Sequence, residues 1–218
     1  MYNSLDHEVY NVLKKYGRRP LEQIAAHGLL NEKTMLAHCG WITKGEVRDI
    51  ARTGAAVIHN PVSNMKLATG GYTPLPELFE ANAVVTLGTD GAASNNSLDM
   101  VEEMKLAALV HKVHTLNPTI ADAESIFKMA TQNGARALRL NAGVIKEGAL
   151  ADVVIFDFNK PHLRPITNVI SHIVYSANGN DVETTIVDGK IVMLDREVLI
   201  VDEEKALDKV QKIVDELR

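Results

Sequence analysis

The sequence predicts an α/β protein built on a parallel sheet, and three observations predict it. Between about residues 21 and 97, helical segments alternate with short apolar runs, in the order helix, strand, helix, strand, helix, strand. The runs Met35-Leu36-Ala37, Ala55 to Ile58 and Val84 to Leu87 do not alternate with polar residues, as expected of strands buried on both faces. Each run ends in polar residues: His38, then His59 with Asn60, then Asp90. In a parallel sheet those carboxyl ends share one rim, and such folds place their chemistry there.

The elements follow in order. His7 to Tyr16 reads as a short helix with Val9, Val12 and Leu13 on one side. Gly17-Arg18-Arg19-Pro20 breaks it, and Pro20 opens a second helix through about Ala26. Thr43 and Glu46 have capping-box spacing and start a helix to about Arg52, which Gly54 stops. Pro74 to Glu80 is helical. Leu98 to His114 is a longer helix with Met100, Met104, Ala107, Ala108 and Val113 available for burial. Asp122 to Leu138 is helical, with an interruption expected at Gly134. Asp152 to Phe158 reads as a strand. Glu183 to Val187, Asp188-Gly189 and Lys190 to Leu194 read as a hairpin, since Asp-Gly supplies a type I′ turn. Glu203 to Arg218 is an amphipathic helix, with Ala206, Leu207, Val210, Ile213, Val214 and Leu217 on the 3.6 period. Gly143 and Gly148 mark a change of style. Residues 1–145 are therefore expected to form the α/β part, 146–201 a smaller β-containing part, and 202–218 the terminal helix.

Composition narrows the function classes. The 218 residues are 46% hydrophobic and 23% charged, enough for a core of ordinary globular type. A net charge of -5 gives no basic footprint for nucleic acid. No run of about 18 apolar residues is present, so no membrane span is expected. Met1 to Asp6 is polar and lacks a signal-peptide profile, and the single Cys39 suits a reducing, cytoplasmic setting.

The candidate residues carry alternative readings. Asp90 at a strand end serves a metal, serves as a general base, or caps the next helix. His38 is either a donor to developing negative charge or a satisfied core histidine. Asn60-Pro61-Val62-Ser63-Asn64 is a turn-rich polar loop that positions substrate or is simply a turn. Among the eight histidines there is no His-X-His and no His-Glu-X-X-His. His111 and His114 share a helix face, but no acid completes a metal site, and the reading is a solvated face. His27, His162 and His172 read as structural or surface residues. The chain lacks the P-loop and the Gly-X-Gly-X-X-Gly pattern, and Ser94 has no evident base.

Taken together, these stretches resemble a known family. Leu36-Ala37-His38-Cys39, then His59-Asn60-Pro61-Val62-Ser63-Asn64-Met65-Lys66-Leu67-Ala68-Thr69-Gly70, then Leu87 through Ser97, resemble the amidohydrolase superfamily. Within it they are most similar to the 5-methylthioadenosine/S-adenosylhomocysteine deaminases and their triazine chlorohydrolase relatives. Glu102 to Leu109, Met129 to Ala135 and Gly148 to Val154 add matches in the same order. The resemblance implies a (β/α)8 barrel with a small β-sandwich and a divalent metal, zinc or iron, at the barrel rim. It implies a metal-activated water attacking a ring carbon of a purine-like or triazine substrate, with ammonia or chloride leaving. By the same resemblance Asp90 matches the strand-eight aspartate that ligates metal and takes the water's proton. His38 matches the strand-six histidine that stabilises the intermediate. His59, Asn60, Ser63 and Asn64 are the expected substrate-binding set.

The departures shape the expectation. The family carries His-X-His on its first strand and His-X-X-Glu shortly before a Glu-Val pair. Glu8-Val9 fits that pair, which places Met1 and Ser4 where the ligand histidine and the glutamate belong. Methionine is a poor ligand for a hard site, and serine is no acid near neutral pH. The chain therefore resembles the C-terminal half of an amidohydrolase: about strands six to eight, their helices, and the C-terminal share of the sandwich. One carboxylate cannot hold a catalytic metal that normally needs three protein ligands, so this chain alone is expected to bind none. The substrate is expected to be a small nucleoside-like or heteroaromatic amine, with no nucleic acid or membrane partner. The competing expectation is a non-catalytic half-barrel that associates with itself through open sheet edges.

Overall fold

The computed structural model of the chain describes residues 4–217. Met1, where the resemblance puts a ligand position, lies outside them. Ser4 caps a π-helical turn, Leu5–Tyr10, accepting from the His7 N–H, and this turn runs into α1 (Asn11–Tyr16). α2 (Pro20–Ala26) begins at the proline, as its fixed φ favours.

A three-stranded parallel sheet follows in the order β1 (Met35–Ala37), β2 (Ala56–His59), β3 (Val84–Leu87). Between the strands lie α3 (Lys44–Thr53), then α4 (Pro61–Lys66) and α5 (Leu75–Glu80). The capping box forms as expected: Thr43 accepts from the Glu46 N–H while Glu46 accepts from the Thr43 N–H. Gly54 ends α3 in the left-handed conformation. In register across the sheet, Leu36, Val57 and Val85 share one face and join the main core with Val47, Ile50, Leu75 and Leu78. The other face carries a small cluster of Ala56, Val84 and Ala137. β1 and β3 each pair on one side only, so both outer edges of this sheet are open among the described residues.

After β3 come α6 (Ala92–Asn95), α7 (Met100–Thr115), α8 (Ala123–Ala130) and α9 (Gln132–Leu138). Three expectations are corrected here. The break between α8 and α9 falls at Thr131 (φ -127°, ψ -89°) and not at Gly134, which continues the helix. Val113 is 75% exposed, because the buried face of α7 runs through Val101, Met104, Ala107, Ala108 and His111. The segment read as a polar loop after β2 is helix α4, with Pro61 at its first position.

The second sheet is antiparallel, in the order β4 (Val153–Phe156), β5 (Val182–Val187), β6 (Lys190–Leu194), β7 (Glu197–Val198). Its hairpin turns through Asp188 (φ 49°) and Gly189 (φ 75°), the left-handed pair a type I′ turn demands. Between β4 and β5 lies α10 (Val169–Tyr175), a helix the periodicity does not announce. Its Ile173 and Val174, with Leu163 and Ala177, enter the same core as the parallel sheet. The chain ends in α11 (Glu203–Glu216), capped by Asp202, with no residue buried. No helix among the described residues is long and apolar enough to cross a membrane.

Candidate active site

The three strand ends of the parallel sheet converge as the alternating pattern predicts. His38 follows β1, His59 ends β2, and Asp90 follows β3. His38 (φ 69°) and Asp90 (φ 61°) both occupy the left-handed region, where non-glycine residues are uncommon. The turn brings His38 Nε2 to 3.9 Å from Asp90 Oδ2.

Asp90 is held by donors. Ser63 Oγ donates to its Oδ2 at 2.7 Å and the Gly91 N–H donates to its Oδ1 at 2.8 Å. Burial pushes this carboxyl upward, but the donations from Ser63 and Gly91, with His38 nearby, outweigh it and hold the pKa below the usual aspartate value. α6 has no side-chain cap: Gly91 stands at its N-cap, and Asp90 accepts from the Gly91 N–H just before the first turn.

His38 is set by asparagines. Its Nδ1 lies 2.7 Å from Asn64 Oδ1, and Asn60 Nδ2 lies 3.4 Å away. His59, Asn60, Ser63 and Asn64, the expected substrate-binding set, are all buried. Asn60 and Asn64 meet His38, Ser63 meets Asp90, and His59 turns toward Thr73 and His111. His59 and Asn64 also line a cavity of about 240 Å³, together with Met65, Tyr72 and His111. Burial, then the neighbouring His111 and His38, hold the His59 pKa well below the ordinary imidazole value.

Sequence reasoning missed two residues. His111 was read as solvated, yet it is completely buried, with Nε2 3.0 Å from His59 Nε2. Its surroundings, burial first and then His114 and Lys112, lower its pKa to about 4. Glu103 is also completely buried. Its Oε1 accepts from Asn95 Nδ2 at 2.6 Å, and the same amide donates to Thr89 O at 2.7 Å. Its Oε2 accepts from the Val62 N–H at 3.4 Å. One carboxyl thus ties the loop bearing Asp90 to the helix bearing Ser63. Burial pushes it up to about 7. Its signal in the sequence is no more than an acid in the first turn of α7, which a solvated dipole partner supplies equally well. Cys39 is buried, and its thiol is pushed up to about 12, so it offers no nucleophile near neutral pH.

The donor set does not fit a resident metal. No group of three or more His, Cys, Asp or Glu side chains gathers for one among the described residues. Asp90 offers a single carboxylate, and both its oxygens already accept hydrogen bonds.

A parallel sheet with polar strand ends, joined to a small antiparallel sheet, and an aspartate–histidine pair at the rim define the class. The Amidohydrolase family matches residues 2–192, and the chain belongs to it. It is 68% identical over 187 residues to a 5-methylthioadenosine/S-adenosylhomocysteine deaminase of Thermococcus sibiricus, covering 86% of this chain and 44% of that protein. Among solved structures it is similar to a zinc-bound adenosine deaminase from Xanthomonas campestris, at 33% identity and a TM-score of 0.96, covering 100% of this chain and 50% of that one. The zinc-complexed atrazine chlorohydrolase of Arthrobacter aurescens shares the fold, at 22% identity and a TM-score of 0.89, over 95% of this chain and 46% of that one. The chain spans about half the length of the relatives it matches.

Proposed function

We propose that this chain carries the strand-six-to-strand-eight portion of a (β/α)8 barrel deaminase. The parent reaction is hydrolytic removal of a ring amine from an adenosine-like nucleoside, with dechlorination of a triazine as the second member of the same class. The observation that carries this reading is the approach of Asp90 and His38 at one rim, in a chain 68% identical to a deaminase over 187 residues. Asp90, held as a carboxylate by Ser63 and Gly91, takes the proton of the attacking water. His38 faces the attacked carbon and donates to the group that gains negative charge. Asn60, Ser63 and Asn64 act on the substrate through these two side chains, which they hold. In an assembled enzyme Asp90 would be one ligand of a divalent metal, zinc or iron, with the further ligands coming from outside the described residues, which gather no metal-holding group of their own. Residues 1–145 form the barrel portion, 146–201 the strand segment of the sandwich with α10 returned to the barrel, and the setting is cytoplasmic, where Cys39 stays reduced.

A second reading has an observation of its own. Both outer edges of the parallel sheet are unpaired among the described residues, and α11 presents an uncovered apolar face. These features support a non-catalytic half-barrel that associates with itself.

One experiment separates the two. Purified alone, the chain should retain no stoichiometric zinc and release no ammonia from 5-methylthioadenosine. Addition of the N-terminal half of the Thermococcus sibiricus relative should produce metal-dependent ammonia release, and Asp90→Asn should abolish it. Tight zinc in the isolated chain, or undiminished release by Asp90→Asn, would overturn the first reading.

A further inference from the structure

Three buried side chains beside the Asp90 cluster form a chain of hydrogen bonds that the proposed reaction does not use. Thr73 Oγ1 lies 2.5 Å from the main-chain oxygen of His38 and 2.8 Å from His59 Nδ1. His59 Nε2 lies 3.0 Å from His111 Nε2. The three residues come from the segment before α5, the end of β2 and the fourth turn of α7. All three are buried.

The partners assign the protons. A main-chain oxygen only accepts, so the single hydroxyl proton of Thr73 goes to His38. The remaining lone pairs of Thr73 Oγ1 only accept, so His59 Nδ1 carries a hydrogen. His59 is neutral near pH 7, since its burial disfavours the cation. A neutral ring protonated at Nδ1 has a bare Nε2, so the bond to His111 requires the hydrogen on His111 Nε2. The other nitrogen of His111 is then a bare acceptor, and Nδ1 has no hydrogen-bond partner among the described residues.

The end of this chain grips a strained backbone. His38 (φ 69°) and Cys39 (φ 56°) are consecutive non-glycine residues in the left-handed region. L residues stay there only when their surroundings over-determine them. The His38 N–H donates to Ile58 O at 2.8 Å, and Thr73 takes the carbonyl on the other side. With the peptide units before and after it both tied, the Cα–Cβ direction of His38 is fixed, and Asn64 and Asn60 then hold its ring with Nε2 3.9 Å from Asp90.

We propose that Thr73, His59 and His111 are positioning residues: a relay of neutral, hydrogen-bonded side chains that locks the left-handed turn at His38 and aims its imidazole at Asp90. The purpose of that aim rests on the deaminase reading; the relay itself does not. His59 thereby acts through His38.

Nitrogen-15 spectroscopy of the histidine rings in the full chain at pH 7 tests it. The expected pattern is a protonated Nδ1 with a bare Nε2 in His59, and the reverse in His111. A proton on Nε2 of His59 in the unaltered chain overturns the proposal, and this measurement decides even where a variant fails to fold. Thr73→Val keeps the shape and removes the hydroxyl. It should shift the His38 ring signals and move the His38 α and β carbon shifts away from left-handed values, while Thr73→Ser should restore both. A folded Thr73→Val chain with His38 signals at their original positions also overturns it. None of these readouts involves turnover, so they are unaffected if the deaminase reading fails.

Discussion

The two sheets of this chain are of similar size but are covered differently. In β3 all four residues are buried, whereas β4 and β6 have no fully buried residue. The parallel sheet finds its cover within the chain: α3, α5, α7, α8 and α10 bring Val47, Ile50, Leu78, Met104, Ile126 and Ile173 into one core, and α9 covers the other face with Ala137. The last third leaves Ile145, Ile200 and the whole apolar stripe of α11 in the open, with Leu207 71% exposed. A helical stripe of apolar residues shows that a face needs a partner, and not that the partner belongs to the same chain. Here the pattern is equally clear in both regions, and only one of them is satisfied among the described residues.

Substitution should break this symmetry most sharply. Leu78→Ala opens a cavity in the parallel-sheet core and should cost about 2–5 kcal/mol. Leu207→Ala on α11 should stay within about 0.5 kcal/mol. Urea unfolding of the two variants beside the parent chain measures both, and equal losses would mean that α11 is covered in solution.

Acid should weaken the buried half next. His111 has a folded pKa of about 4 and His59 one well below its ordinary value. Both lie under the unfolded value of about 6.5, so the unfolded state binds more protons between these limits. Their stabilisation is complete above about pH 6.5 and declines as pH falls toward the folded pKa values. Glu103, pushed up to about 7, takes up a proton in the folded state over the same range and offsets part of this loss, so the melting temperature should fall by only a few degrees between pH 7 and pH 5, at roughly 2–4 °C per kcal/mol for a chain of this size. His111→Gln should flatten that fall, which scanning calorimetry at three pH values would show.

The smallest effect on folding is expected from removing residues 202–218. The melting temperature should move by no more than about 2 °C, because no residue of α11 is buried. Light scattering should meanwhile report less self-association, since an apolar stripe has been removed. A large drop in melting temperature would place α11 in the core after all.

The parts of the fold that were legible are those with local causes. Pro20 opens α2, Thr43 and Glu46 cap α3, Gly54 closes it, and Asp188-Gly189 turns the hairpin, each through bonds to residues only a few positions away. The same locality misled at Asn60-Pro61, where turn formers also satisfy the start of a helix. α10 was missed because its seven residues are too few for a period to declare itself. His111 was misread because its buried hydrogen-bond partner, His59, lies 52 positions away.

Residue order alone determined the alternation of strands and helices, and with it the delivery of His38, His59 and Asp90 to one rim. It also carried the family, because ordered motifs survive without coordinates. The folded chain alone decided which of those side chains face one another. Asn64 reaching His38, Ser63 reaching Asp90, Thr73 bridging His38 and His59, and Glu103 tying two segments together are bonds across 8 to 41 positions. Such bonds depend on where strand ends meet in space, and no local propensity encodes that distance.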